Sequence, residues 1–113
     1  MLKKGTKKKS NFDDDLKESL KDAEYREYYI NEALKAYYED KDLDILLHCL
    51  KPVIESQGTI KDFADKAKIK RTYLYRIFNC EVHPEFTTLS NILDNLGLEF
   101  RIINKNSLIQ QRD

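Results

Sequence analysis

Residues 59–79 read TIKDFADKAKIKRTYLYRIFN, and how they fold decides what the rest of the chain is built around. Thr59 followed three residues later by Asp62 is an N-terminal capping arrangement, with Asp in place of the usual Glu. Ile60, Phe63, Ala64 and Ala67 then give a short helix one small apolar face. A break at Lys68-Ile69 follows, and residues 71–79 resume a helical spacing. Two short helices joined by a tight turn, with a small residue (Ala64) where they cross, describe a helix-turn-helix. In that arrangement Phe63, Ala67, Ile69, Leu74 and Ile77 or Phe78 turn inward and fix the crossing. Lys70, Arg71, Thr72, Tyr75, Arg76 and Asn79 are left on the outer face. Arginine can fork onto guanine, asparagine onto adenine, and hydroxyls can reach phosphates, so that set suits a major groove. A basic helix face can equally be a solvated one. The turn position that commonly adopts positive φ holds Lys68 instead of glycine, at a cost of about 1–2 kcal/mol if it is left-handed.

On either side of this unit the periodicity is also helical. Residues 13–41 form an acidic, Tyr-rich segment. Asp13, Asp14 and Asp15 suit a helix N-terminus, where carboxylates cap free N–H groups and oppose the positive end of the dipole. Ile30, Ala33, Leu34 and Tyr37 recur at helical spacing. Five of the seven tyrosines fall between 25 and 38; they either blanket neighbouring helices or, at Tyr25, Tyr28, Tyr29 or Tyr38, face a protein partner. Residues 42–58 read as a second helix, buried along Leu43, Leu46, Leu47, Leu50 and Val53/Ile54. Gly58 is its natural stop, and Pro52 predicts a bend or an early third turn. Pro84 disfavours helix at His83 and makes 80–84 a loop. Residues 85–97 close the helical part, with Phe86, Leu89, Ile92, Leu93 and Leu96 on one face and Gly97 as the stop. Residues 98–103, LEFRII, alternate apolar and polar and predict a short strand.

The expected fold is therefore all-α: a small helical bundle with a central helix-turn-helix and one C-terminal strand. Its organisation is a disordered basic arm (1–12), the acidic segment (13–41), the helix-turn-helix domain with its terminal strand (42–103) and a flexible tail (104–113). Net charge is zero, with 20 basic and 20 acidic residues, but it is segregated. Residues 1–10 carry five lysines and no acid; residues 11–44 carry twelve acids against five bases; residues 59–83 carry six bases against three acids. Segregation of that kind suits two partners of different charge, a nucleic acid among the candidates, or charge runs that simply solvate helix faces. No apolar run approaches membrane-spanning length and no apolar leader is evident, so a cytoplasmic chain with reduced thiols is expected.

Metal and catalytic chemistry find little support. His48-Cys49 and Cys80-x-x-His83 hold the ingredients of a zinc site, but adjacent helical residues point roughly 100° apart. Cys49 reads better as a small buried hydrophobe and His83 as part of the pre-proline turn. With three glycines there is no phosphate-cradling loop, and no histidine lies near paired carboxylates. No metal, no cofactor and no enzymatic activity are expected.

The order of segments is what becomes specific. YINEALKAYYEDKDLDILLHCLKPV, IKDFADKAKIKRTYLYRIFN and HPEFTTLSNILDNLGLEFRI, within Tyr29 to Ile103, resemble HigA-type addiction-module antidote proteins, antitoxins with a lambda-repressor-like (XRE) helix-turn-helix domain. RTYLYRIF is similar to the family's Ser-Arg-x-x-Leu-Tyr stretch. HPEFTTL and LDNLGLEF are similar to its Asn-Pro-x-Phe-x-Thr-Leu and Leu-Gly-Leu closing pattern. Lys70 stands where the family usually has serine, and Lys68 replaces the turn glycine. The resemblance covers about two-thirds of the chain and leaves out what precedes about Asp22.

It implies an antitoxin that neutralises a RelE/ParE-like ribonuclease toxin and, as a dimer, represses its own operon. A nuclease that grips RNA is expected to be basic, so the acidic arm is either the implied toxin contact, through Asp13, Asp14, Asp15, Glu18, Tyr25, Tyr28 and Tyr29, or a solvated helix that caps the domain. Leu98, Phe100 and Ile102 are the implied self-interface, with the toxin as the other partner open to that strand. Two other readings stay open at this stage: a stand-alone phage-type repressor with no toxin partner, and an interaction module that has lost DNA binding.

Overall fold

In a computed structural model, residues 12–106 are described. The basic arm expected over 1–12 lies outside them except for Phe12. The expected tail lies outside them except for 104–106, where the Asn106 N–H donates to Asn104 Oδ1 at 2.8 Å. Six helices lie wholly or mainly within the described residues, in order: α1 (12–19), α2 (Ala23–Asp40), α3 (Asp44–Glu55), α4 (Ile60–Ala67), α5 (Arg71–Phe78) and α6 (Phe86–Asn95). α2 lies along α3; α3 also touches α4 and α5; α4 packs against α5 on one side and α6 on the other. Among the described residues no helix is long and apolar enough to cross a membrane.

The acidic segment folds as two helices, α1 and α2. Leu20 and Lys21 form a turn, and Asp22 starts α2 by accepting the Tyr25 N–H at 2.9 Å. An N-cap of this type stabilises a helix by about 1 kcal/mol. Leu20 itself is fully buried. Its carbonyl accepts from Arg26 Nη1 at 2.9 Å and from Ser56 Oγ and Gln57 Nε2, both at 3.4 Å. Arg26 Nη1 also reaches the Lys21 carbonyl at 2.9 Å. The corner between α1 and α2 is thus fastened to the end of α3.

α3 supplies the centre of the core: Leu46, Leu47, Leu50, Val53 and Ile54 are all buried. It runs through Pro52 to Glu55. The Ser56 N–H bonds the Pro52 carbonyl at 3.0 Å, and a further turn at Gln57 precedes Gly58 (φ 146°). Gly58 therefore lies three residues past the helix and is not its immediate stop. Gly97 (φ 79°) does stop α6: the Gly97 N–H bonds Asp94 and the Leu98 N–H returns to the Leu93 carbonyl at 2.8 Å, a Schellman closure.

Two expectations fail near the C-terminus. Phe86, placed on the inward face, is 65% exposed and stacks on Phe100 with ring centroids 5.2 Å apart. The strand over 98–103 does not form, and no strand occurs among the described residues. Leu98 and Phe100 are half-buried against the core, but Ile102 is 99% exposed. Alternation can place side chains, but a strand also requires a second extended edge to bond, and the rest of the described chain is helical.

Candidate nucleic-acid interface

The central unit is assembled as its spacing dictates. The Asp62 N–H donates to Thr59 Oγ1 at 3.0 Å and fixes the start of α4. Ile60, Phe63, Ala64 and Ala67 are buried, and Ala64, 4% exposed, sits where α4 meets α5. Lys68 is left-handed (φ 59°, ψ 43°). The Ile69 N–H then reaches back to the Ala64 carbonyl at 3.0 Å, and the Lys68 N–H to Asp65 at 3.3 Å. Lys70 is extended and starts α5 without a side-chain cap. The connection is three residues, Lys68 to Lys70.

Burial of Leu74, Ile77 and Phe78 determines which side of α5 faces out. Lys70, Arg71, Thr72, Tyr75, Arg76 and Asn79 are all exposed, while Tyr73 is half-buried. Tyr75 lies edge-on to Phe78 at 5.7 Å and under the Lys51 ammonium at 5.7 Å, so its ring is braced while its hydroxyl end is free to extend outward. Arg76 Nε lies 3.7 Å from Glu81 Oε1, both side chains more than half exposed. A surface pair of this kind is worth about 0–1 kcal/mol, little enough for the guanidinium to exchange it for an anionic ligand. The C-terminal end of α5 closes through Cys80 (φ 61°), with the Glu81 N–H on the Arg76 carbonyl at 2.9 Å.

Two supports of this unit were not read from the sequence. Asn91 Nδ2 donates to the Ala67 carbonyl at 2.8 Å, tying α6 to the last residue of α4 beside the turn. Asn95 Nδ2 in turn donates to the Asn91 carbonyl and Oδ1. The available signal was an asparagine pair four residues apart on the polar side of the helix. Cys80 Sγ approaches His48 Nε2 at 3.6 Å and the Asp44 carbonyl at 3.7 Å, joining residues 32 and 36 positions apart. Burial, with the Asp44 and Asp42 side as a further influence, pushes the Cys80 thiol above its ordinary value. Among the described residues no group of three or more His, Cys, Asp or Glu side chains is arranged to hold a metal ion.

The second candidate set divides in two. Asp13, Asp14, Asp15 and Glu18 are exposed on α1, and Tyr28 on α2 is 57% exposed. Tyr25 and Tyr29 pack partly against the core, their rings 6.4 Å apart. Tyr29 is pushed up to about 12, by burial first and then by the adjacent Cys49. It serves packing more than an outward surface. The third set also divides, since Leu98 and Phe100 lean on the core and Ile102 faces solvent.

Fold and surface together describe a small all-helical module, compatible with a helix-turn-helix, with one basic helix face and one acidic helical arm. A protein-family model described as probable addiction module antidote protein matches residues 9–104, and the chain belongs to that family. Membership supports an antitoxin role in an addiction module and implies a cognate toxin as partner. The match begins well before Asp22 and so takes in α1. No curated protein and no solved structure matches the chain.

Proposed function

We propose that this cytoplasmic antitoxin works in the HigA manner, with an XRE-type helix-turn-helix. It neutralises a RelE/ParE-like ribonuclease toxin and, as a dimer, binds operator DNA to repress its own operon. The observation that carries the reading is the separation of its two charged surfaces. The polar side of α5 stands clear of the core as one exposed basic face, while Asp13, Asp14, Asp15 and Glu18 are exposed on a different helix. The first surface suits a phosphate-rich duplex, the second a basic nuclease. The C-terminal apolar side chains Phe86, Phe100 and Ile102 suit the self-interface, which would cover the exposed stack.

Because Leu20 is locked into the core, cutting off the arm would unfold the domain, and the test is a pair of surface variants. With the toxin encoded beside this gene co-expressed, Asp13→Asn/Asp14→Asn/Asp15→Asn/Glu18→Gln is expected to lose growth rescue. Arg71→Ala/Arg76→Ala is expected to keep it. The reverse pattern would move toxin binding to the helix pair and overturn the assignment.

A further inference from the structure

One feature of the surface reaches beyond the residue sets above. A shallow cleft of about 440 Å³ lies where α1 meets the start of α4 and of α5, lined among others by Lys17, Glu55, Thr59, Lys61, Arg71 and Tyr75. Three cations from three separate helices converge there, against one carboxylate. Lys17 Nζ is 3.5 Å from Glu55 Oε1, with its side chain 40% exposed. Lys61 pairs only loosely with Asp65, at 3.7 Å and with both side chains well exposed. These are surface pairs, weak enough to be exchanged for another anion. Arg71 and Tyr75 belong at the same time to the outer face of α5, so the cleft continues that face sideways toward α1.

We infer that this cleft holds the phosphodiester backbone of the same duplex that α5 reads, with Lys17 and Lys61 as backbone contacts, which makes α1 a DNA-contacting element. The inference rests on the DNA-binding reading of α5. A helix laid in a major groove has a phosphate strand running along each flank, and contacts to that strand set orientation without reading sequence. Lys17 and Lys61 put cations on one such flank, which the strand reaches beside the exposed carboxylates of α1. Being shallow and open to water, it suits a polyanion, whose neighbouring charges add, better than a single small anion. Glu55 then opposes binding, because it neutralises Lys17 at the point where the phosphate would sit.

The test compares the full-length protein with Lys17→Gln, Lys61→Gln and Glu55→Gln, each first checked for an unchanged thermal melt. Binding is titrated over a salt series against a duplex from the protein's own promoter and an unrelated duplex of equal length. Lys17→Gln and Lys61→Gln should weaken both duplexes alike and lower the slope of log K against log salt by about 0.9 each. Lys17→Arg should restore the slope. Glu55→Gln should tighten binding. If Lys17 served only to anchor α1, Glu55→Gln would break the same ion pair and act like Lys17→Gln; that result overturns the inference. So does an unchanged slope in both lysine variants while Arg71→Ala/Arg76→Ala still loses promoter binding. Full binding by the double arginine variant would remove the reading of α5 and the backbone contact with it.

Discussion

Lys68 shows how much of this molecule turns on single backbone positions. With φ 59° it occupies a region that costs a non-glycine residue about 1–2 kcal/mol, and it does so because the Ile69 N–H must return to Ala64 to close α4. Lys41 and Cys80 end α2 and α5 in the same conformation. Lys68→Gly is expected to raise unfolding stability by about 0.5–1 kcal/mol, less than the full strain because glycine is more flexible when unfolded; urea denaturation with an equal or lower midpoint would contradict it. Tyr29 is the second residue whose setting has a measurable consequence. Its folded value is raised from 10.0 to about 12, so between those values the folded state retains a proton that the unfolded state has lost. Stability therefore falls as pH rises through that window, with burial of Cys49, also raised from 9.0, adding to the fall from lower pH. Tyr29→Phe should flatten the decline in chemical unfolding between pH 10 and 12. An unchanged slope would show that the phenol is not protected.

At the scale of elements, what was legible in the sequence was what local spacing controls. Thr59, Ala64 and the apolar positions of 63–78 lie within twenty residues of one another, and their periods alone fix which side of α5 faces out. The corner at Leu20 is of another kind. One leucine in an acidic stretch looks like any other, and its partners Ser56 and Gln57 are 36 and 37 positions away. The same distance hid Asn91 on Ala67 and Cys80 beside His48. The missing strand has a different cause: alternation at 98–103 reports side-chain placement, while a ladder depends on an edge elsewhere. The corner makes a definite claim about α1. Leu20→Ala removes a fully buried side chain and is expected to cost about 2–5 kcal/mol, read in a denaturant midpoint. A cost below about 1 kcal/mol would mean that α1 is a detachable arm and not part of the folded domain.

At the scale of the whole molecule, a chain of zero net charge keeps its charges apart. α1 and α2 carry the acidic excess, and the six exposed residues of α5 and its two caps face away from the buried side of the pair. Family membership implies a toxin partner; in the function proposed above, the basic side takes a second partner, DNA. Since Lys70 stands in place of the family's usual serine, the base contacts are expected to centre on Arg71 and Arg76. The most direct measurement is the affinity for a duplex from the protein's own promoter, relative to an unrelated duplex, in the wild-type chain and in Arg71→Ala/Arg76→Ala. Tight, salt-sensitive binding with a clear preference for the promoter, lost in the double variant while the thermal melt is unchanged, is the predicted result. Equal affinity of wild type and variant, or no preference for the promoter, would contradict the assignment of α5 as the reading helix.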